Sequence, residues 1–171
     1  MVLLSACGSD EQGTVTDAVA GTTYAPSSVC ELLSVDTVAQ ELPGAAIDTS
    51  FPAADTCSYA ADSGDVTLWV VSPTIAAERL GEGPGKDKPS AKGLYDMAMF
   101  DATANGARDV RPAPQLGERG QIAINAADDE LAAIWRRGDT VFSLVYSLWD
   151  GSPDEAAAVA ERLAKAVQSP S

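Results

Sequence analysis

Three cysteines, at positions 7, 30 and 57, constrain this chain more than any other feature. Cys7 closes the tetrapeptide Leu4-Ser5-Ala6-Cys7, a leucine and two small residues ahead of a cysteine. That is the lipobox pattern of bacterial lipoproteins, in which the thiol is acylated and the chain is cut just before it. On this reading Cys7 bears lipid, and Cys30 and Cys57 remain as an even pair. An exported domain folds where disulfides persist, so a Cys30–Cys57 bridge is expected. On the chain-entropy argument such a bridge contributes about 3 kcal/mol. The competing reading of Leu4–Cys7 is a chance match in a disordered N-terminus, and that of the other two cysteines is a pair of buried free thiols in a cytosolic protein. In an exported protein without lipidation Cys7 would be a spare thiol, which such proteins tend to avoid.

A secretory signal has a basic start and an apolar stretch of roughly 7–15 residues. Only Met1-Val2-Leu3-Leu4 precede the small pair. Residues 1–7 are therefore expected to be the remnant of a signal peptide whose start lies upstream. Residues 8–28 are rich in Gly, Ser, Thr and Ala, with Asp10, Glu11 and Asp17. Such a segment cannot bury enough apolar surface to offset its ordering entropy, so it reads as a flexible polar tether. Residues 29–171 then form one domain of ordinary size. No run approaches the ~18–20 apolar residues of a membrane span, so membrane attachment is expected only through lipid on Cys7.

The chain carries 25 acidic and 11 basic residues, a net charge of −14. That field repels nucleic acid and anionic headgroups, so a nucleic-acid role is not expected. There is no histidine. A Ser-His-Asp triad, a Cys-His pair and any histidine-based metal or general-base site are thereby excluded. Two distant cysteines without histidine do not make a zinc site. No metal and no cofactor are expected.

Residues 28–42 read as a helical region, with Val35, Val38, Ala39 and Leu42 at helical spacing and Pro43-Gly44 as the stop. Residues 45–56 read as a loop around Pro52. Cys57–Ala61 and Val66–Val71 flank the turn residues 62–65 and read as a hairpin. Thr74–Leu80 and Ser90–Phe100 look helical, the second with Leu94, Met97, Ala98 and Asp101 on one turn series. Ala107–Val110, Arg119–Ala126, Leu131–Arg137 and Thr140–Leu148 read as strands, the last two joined at Gly138-Asp139. Apolar residues of both parities in Thr140–Leu148 suit a central strand covered on both sides. Ser152-Pro153-Asp154-Glu155 is a cap, a proline at the first helical position and a capping-box acid, followed by Ala156, Val159, Ala160, Leu163 and Val167 at helical spacing. The order predicts an α+β domain: an antiparallel sheet of about five to six strands with helices packed mainly on one face. Helix followed by strands occurs twice, a hint of duplication.

Other motifs have plain readings. Gly81–Asp87 lacks the glycine and the Ser or Thr of a phosphate loop. Arg137-Gly138-Asp139 spells an adhesion tripeptide, but a hairpin needs Gly-Asp there for its backbone. Asp128-Asp129-Glu130 lacks the glycine of a calcium loop and reads as a solvated turn. Trp69, Trp135 and Trp149 all sit in strands, where core packing is the usual role and a cluster lining a cleft is the functional alternative. Lys86 and Lys88, in the glycine- and proline-rich segment 81–90, make a positive spot in an acidic chain. They are the candidate binding residues for an anionic group, against the plainer reading of a tolerant surface loop.

These residues resemble a known group. Leu4–Cys7, the opening Cys30-Glu31-Leu32-Leu33, and Cys57-Ser58-Tyr59 at an aromatic strand are similar to small actinobacterial secreted lipoproteins that carry a domain of unknown function. Gln115-Leu116-Gly117-Glu118-Arg119-Gly120 and the strand pair around Arg136-Arg137-Gly138-Asp139 resemble its later part. Members often have tryptophan where Tyr59 stands. The likeness spans roughly residues 30–167. It implies an exported α+β domain with a cysteine bridge and supplies no catalytic residue. The group is distantly similar to extracellular sensor domains of mycobacterial receptor kinases, which implies ligand sensing. The expectation is a non-enzymatic binding or sensory module on the outer face of the cytoplasmic membrane. Its partner would be a small molecule or an envelope protein. The alternatives are a hydrolase built on a carboxylate pair and a purely structural envelope protein.

Overall fold

A computed structural model describes residues 26–53, 55–80 and 89–167. Two short helices, α1 (Pro26–Leu32) and α2 (Val35–Glu41), lead into strands β1 (Ala46–Ala53), β2 (Thr56–Ala61) and β3 (Gly64–Val71). Helices α3 (Pro73–Leu80) and α4 (Ala91–Ala104) follow. Then come β4 (Asp109–Pro112), a 3₁₀ turn at Pro114–Leu116, β5 (Glu118–Asn125), β6 (Glu130–Arg137), β7 (Thr140–Ser147) and α5 (Pro153–Ala166). The strands form one antiparallel sheet in the order β1-β2-β3-β7-β6-β5-β4. This is the expected α+β class, with seven strands rather than five to six.

The additional strand is β1, in the segment read as a loop. It carries Pro52 at a sheet edge, the position where a strand tolerates a residue with no N–H to donate. Between Asp48 and Ala53, five steps of β1 run opposite two of β2. The other edge, β4, ends on Pro112. α1 begins at Pro26, so helix reaches into residues read as tether.

The expected packing of helices mainly on one face is not shown, because helices cover both sides of the sheet. α1, α2 and α5 cover the first face, where Val29, Leu33, Val38, Ala160 and Leu163 pack on Tyr59, Leu68, Trp135, Phe142 and Leu144. α4 lies on the second face over β5, β6 and β7, with Leu94 and Tyr95 against Ala132, Ile134 and Val141. The cause is in β7, whose Phe142, Leu144 and Tyr146 point one way and Val141 and Val145 the other. Both sides of the sheet centre need cover. The placement also argues against duplication. An antiparallel β3–β7 pair can be exchanged only by an axis normal to the sheet, which would keep α2 and α4 on one face.

Local chemistry agrees with the sequence at the best-marked ends. Ser152 and Glu155 close a reciprocal capping box at α5. Asp62-Ser63 and Gly138-Asp139 are two-residue hairpin turns. Gly138, at φ +58°, takes the first central position of the second. Cys30 and Cys57 are disulfide-bonded with Cα atoms 5.2 Å apart, tying α1 to β2. Nearby, the Tyr59 hydroxyl donates to the Leu33 carbonyl. No helix among the described residues is long and apolar enough to cross a membrane.

Candidate functional site

Among the described residues, the second face carries a concave feature beside α4. At the edge of α4 nearest β3 a trough of about 270 Å³ opens. Ser143 and Val145 of β7 and Ala132 of β6 line it from the sheet. Trp69 of β3 lines it on one side, and Ala98, Asp101, Ala102 and Asn105 of the α4 region on the other, with Glu130 also in the lining. Register explains the grouping. Trp69 lies directly across from Ser143, and Val145 across from Ala132. Small side chains make the space: Ala98 and Ala102 on the helix, Ala132 and Ser143 on the sheet.

Trp69 is 53% exposed, whereas Trp135 and Trp149 are buried. The alternation of β3 requires this. Val66, Leu68 and Val70 enter the first-face core, so Trp69 must face the other way. Strand parity was the signal that set Trp69 apart from the other two, and treating the three tryptophans alike missed it. Asp101 and Glu130 carried no signal of their own. They line one trough only because α4 crosses β6.

The α4 wall is pinned at both ends. At its start, Ser90 caps the Gly93 amide. The Tyr95 hydroxyl donates to the Arg119 carbonyl. The Arg119 guanidinium lies 5.1 Å from the Tyr95 ring centroid and 3.5 Å from the Asp96 carboxylate. Burial pushes the Tyr95 pKa up, against the opposing effect of Arg119. At the other end the buried Asn125 amide donates to the Asn105 carbonyl at 2.8 Å and to Asp128 at 2.7 Å. A Cβ at Gly106, φ +106°, would stand 2.8 Å from that amide nitrogen. The Gln115–Gly120 motif thus has a structural role: it sets the β5 irregularity at Arg119, φ +56°, that receives Tyr95.

Charge at the trough is of one sign. Its lining holds two carboxylates, Asp101 and Glu130, and no lysine or arginine. Among the described residues neither carboxylate has an ion pair or a side-chain hydrogen bond. Elsewhere on the domain the fold moves the proton affinity of three carboxyls, Asp96, Glu155 and Glu161. All three move downward, chiefly through hydrogen bonds from Lys92, the Ser152 backbone and Lys165.

The other sequence-derived sites fall elsewhere. Cys7, Lys86 and Lys88 lie outside the described residues. The Cys30–Cys57 bridge belongs to the first face, away from the trough. Arg137 of the adhesion-like tripeptide is occupied: it donates to the Val167 carbonyl at the end of α5 at 2.8 Å and lies over the Trp135 and Phe142 rings. Asp128 and Asp129 form the β5–β6 turn, and no group of three or more metal-ligating side chains occurs among the described residues. No family model, no curated protein and no solved structure matches this chain, so its functional reading rests on the trough and on the cysteines.

Proposed function

We propose that this protein is a cell-envelope lipoprotein. Lipid on Cys7 holds it at the outer face of the cytoplasmic membrane, and its folded domain is a non-enzymatic binding or sensory module. The trough beside α4 is its ligand site. The observation that carries this reading is Trp69, a large aromatic side chain left half-exposed at the rim of a cleft whose helical wall is anchored at both ends. Exposed aromatic surface bordering a concave site is a usual mark of ligand or partner binding. The cysteines support the location. With Cys30 and Cys57 bonded to each other, Cys7 is the remaining thiol of the three. The resemblance to secreted lipoproteins points the same way.

Two measurements test the reading. Expressed in a bacterial host from the complete gene, the wild-type product should fractionate with membranes and show an acylated Cys7 by mass spectrometry. Cys7→Ala should leave the membrane fraction. Unmodified Cys7 in membrane-free product refutes the anchor. For the site, a thermal-shift screen should return ligands whose stabilisation is lost in Ala102→Trp, which plugs the trough, while that variant keeps its own melting transition. Ligands that stabilise the plugged variant equally well would move the site elsewhere.

A further inference from the structure

We infer that the trough selects an organic cation, an alkylammonium group seated on the Trp69 indole and neutralised by Asp101 and Glu130. The inference rests on the reading of the trough as the ligand site and names the chemistry of what enters it.

Three features of one cavity converge on that class. The first is the aromatic platform. Trp69 is 53% exposed, with Ser143 across from it in register and alanines on the facing helix wall, so its ring is accessible from the trough. Of the aromatic rings, an indole face holds a cation best. The second is charge. The lining contains two carboxylates and no base, and neither acid is engaged by a cation of the chain among the described residues. Asp101 is exposed on α4 and Glu130 is half-buried at the start of β6, so they approach the cavity from two elements. The third is the surrounding field. Across the sheet, Glu130 continues a row through Ser147 to Asp65, a further acid on the same face. A net charge of −14 raises the local concentration of cations at a cleft lined with acids.

The same features reject other ligands. An anion would meet two unpaired carboxylates and no donor of positive charge. A bare metal ion would find two acids without the further convergent oxygens it needs, and it would gain little from an indole. A neutral apolar group would fill the space but leave both carboxylates uncompensated.

Choline and its uncharged carbon isostere, 3,3-dimethyl-1-butanol, separate these terms, because they share shape and hydroxyl and differ in charge. The full chain is titrated with each while tryptophan fluorescence is followed. Trp69 is the exposed reporter, with Trp135 and Trp149 buried as internal background. Amide shifts of α4 and β7 report in parallel. Choline should give a saturable response at least about tenfold tighter than the isostere. Asp101→Asn with Glu130→Gln should weaken choline by about tenfold, reduce its salt dependence and leave the isostere unchanged. Trp69→Leu, followed by amide shifts, should weaken choline about fivefold or more. Because these positions are exposed or half-exposed, unchanged melting checks that the variants fold.

Equal binding of the two probes overturns the cation inference and leaves the trough standing as an apolar ligand site. No response to either probe also overturns it. In that event the ligand-site reading is judged separately by the screen against the plugged Ala102→Trp variant. Choline binding that survives both the carboxylate and the Trp69 substitutions places any cation site elsewhere and refutes the assignment.

Discussion

Replacing Cys30 and Cys57 together by alanine should lower the stability of the oxidised protein by about 3.5 kcal/mol. The two residues are 27 positions apart. Closing a loop of that length in the unfolded chain removes about 12 cal/mol/K of entropy, or about 3.5 kcal/mol at room temperature. A domain of roughly 140 residues unfolds with an entropy of about 0.3 kcal/mol/K near its midpoint, so the melting temperature should fall by about 12 °C. Cys57 is 2% exposed, and losing its buried sulfur adds to the effect rather than offsetting it. The assay is guanidinium and thermal unfolding of the double variant beside wild type in oxidised and reduced form. Because the constraint acts on the unfolded chain, the denaturant slope should increase when the link is absent, as more surface becomes exposed. Reduced wild type should behave like the double variant. If both unlinked forms melt within about 3 °C of the oxidised protein, loop closure is not what the bridge contributes and the reasoning is refuted.

Two glycines separate steric from conformational need. A Cβ at Gly120 would stand 2.1 Å from the Ala113 carbonyl oxygen, so Gly120→Ala should cost about 2–3 kcal/mol. Gly138→Ala meets nothing within 4 Å and should cost only about 1 kcal/mol, from its left-handed φ; thermal melts that rank them in reverse would contradict this steric argument. Ser152→Ala should cost about 1 kcal/mol in chemical denaturation, through the lost cap of α5. Hydrogen bonds from the Ser152 backbone and hydroxyl hold Glu155 below its ordinary 4.5. Its stabilisation is therefore present above that value and lost as pH falls through the lower folded value, so the melting gap between wild type and Glu155→Gln should close in acid. Burial pushes Tyr59 up to about 12 from 10.0, which gives the opposite sign. Its contribution is complete below pH 10 and lost as pH rises toward 12. Tyr59→Phe should start less stable, having lost the bond to Leu33, but show a flatter alkaline decline. Parallel curves would count against the argument.

The elements that sequence reading located well are those whose signals are local. The α5 start is written in four adjacent residues, Ser152 to Glu155, and the structure closes that capping box. The β2–β3 and β6–β7 hairpins combine turn residues with apolar alternation; the Gly138-Asp139 turn falls where the pattern puts it, while the first turn is tighter than residues 62–65 suggest, with Gly64 and Asp65 already in β3. β1 was hidden because an edge strand needs little apolar bulk and tolerates Pro52, so Ala46–Ala53 resembles a loop in composition. Met97, placed with Leu94 and Ala98 by spacing, is instead 60% exposed, since α4 buries a stripe narrower than that spacing allows. The layering was obscured for a related reason: which face a helix covers depends on the sheet it meets, and the α4 sequence does not encode that partner. The trough was the least accessible to such reading. It assembles Trp69, Asp101, Glu130 and Ser143 from three strands and a helix, and its volume comes from alanines, whose small size only matters once their neighbours are known. Attention to Lys86 and Lys88 followed local charge contrast, the kind of signal a linear reading can weigh.

The central β3–β7 pair also sets an order of assembly for a chain that emerges N-terminus first. α1, α2 and β1–β3 can close on themselves early, with both bridged cysteines already inside that unit. The outer edge of β3 then waits for Thr140–Ser147, the last strand to appear. Until it does, Val66, Leu68 and Val70 stand on a strand paired along one edge only, open to the matching strand of a neighbouring copy. Pauses in synthesis between β3 and β7 should therefore be the hazardous ones for yield, and a chain truncated before Thr140 should recruit its own kind where the full chain does not. The last strand acts as the stopper of a sheet that its first half leaves open.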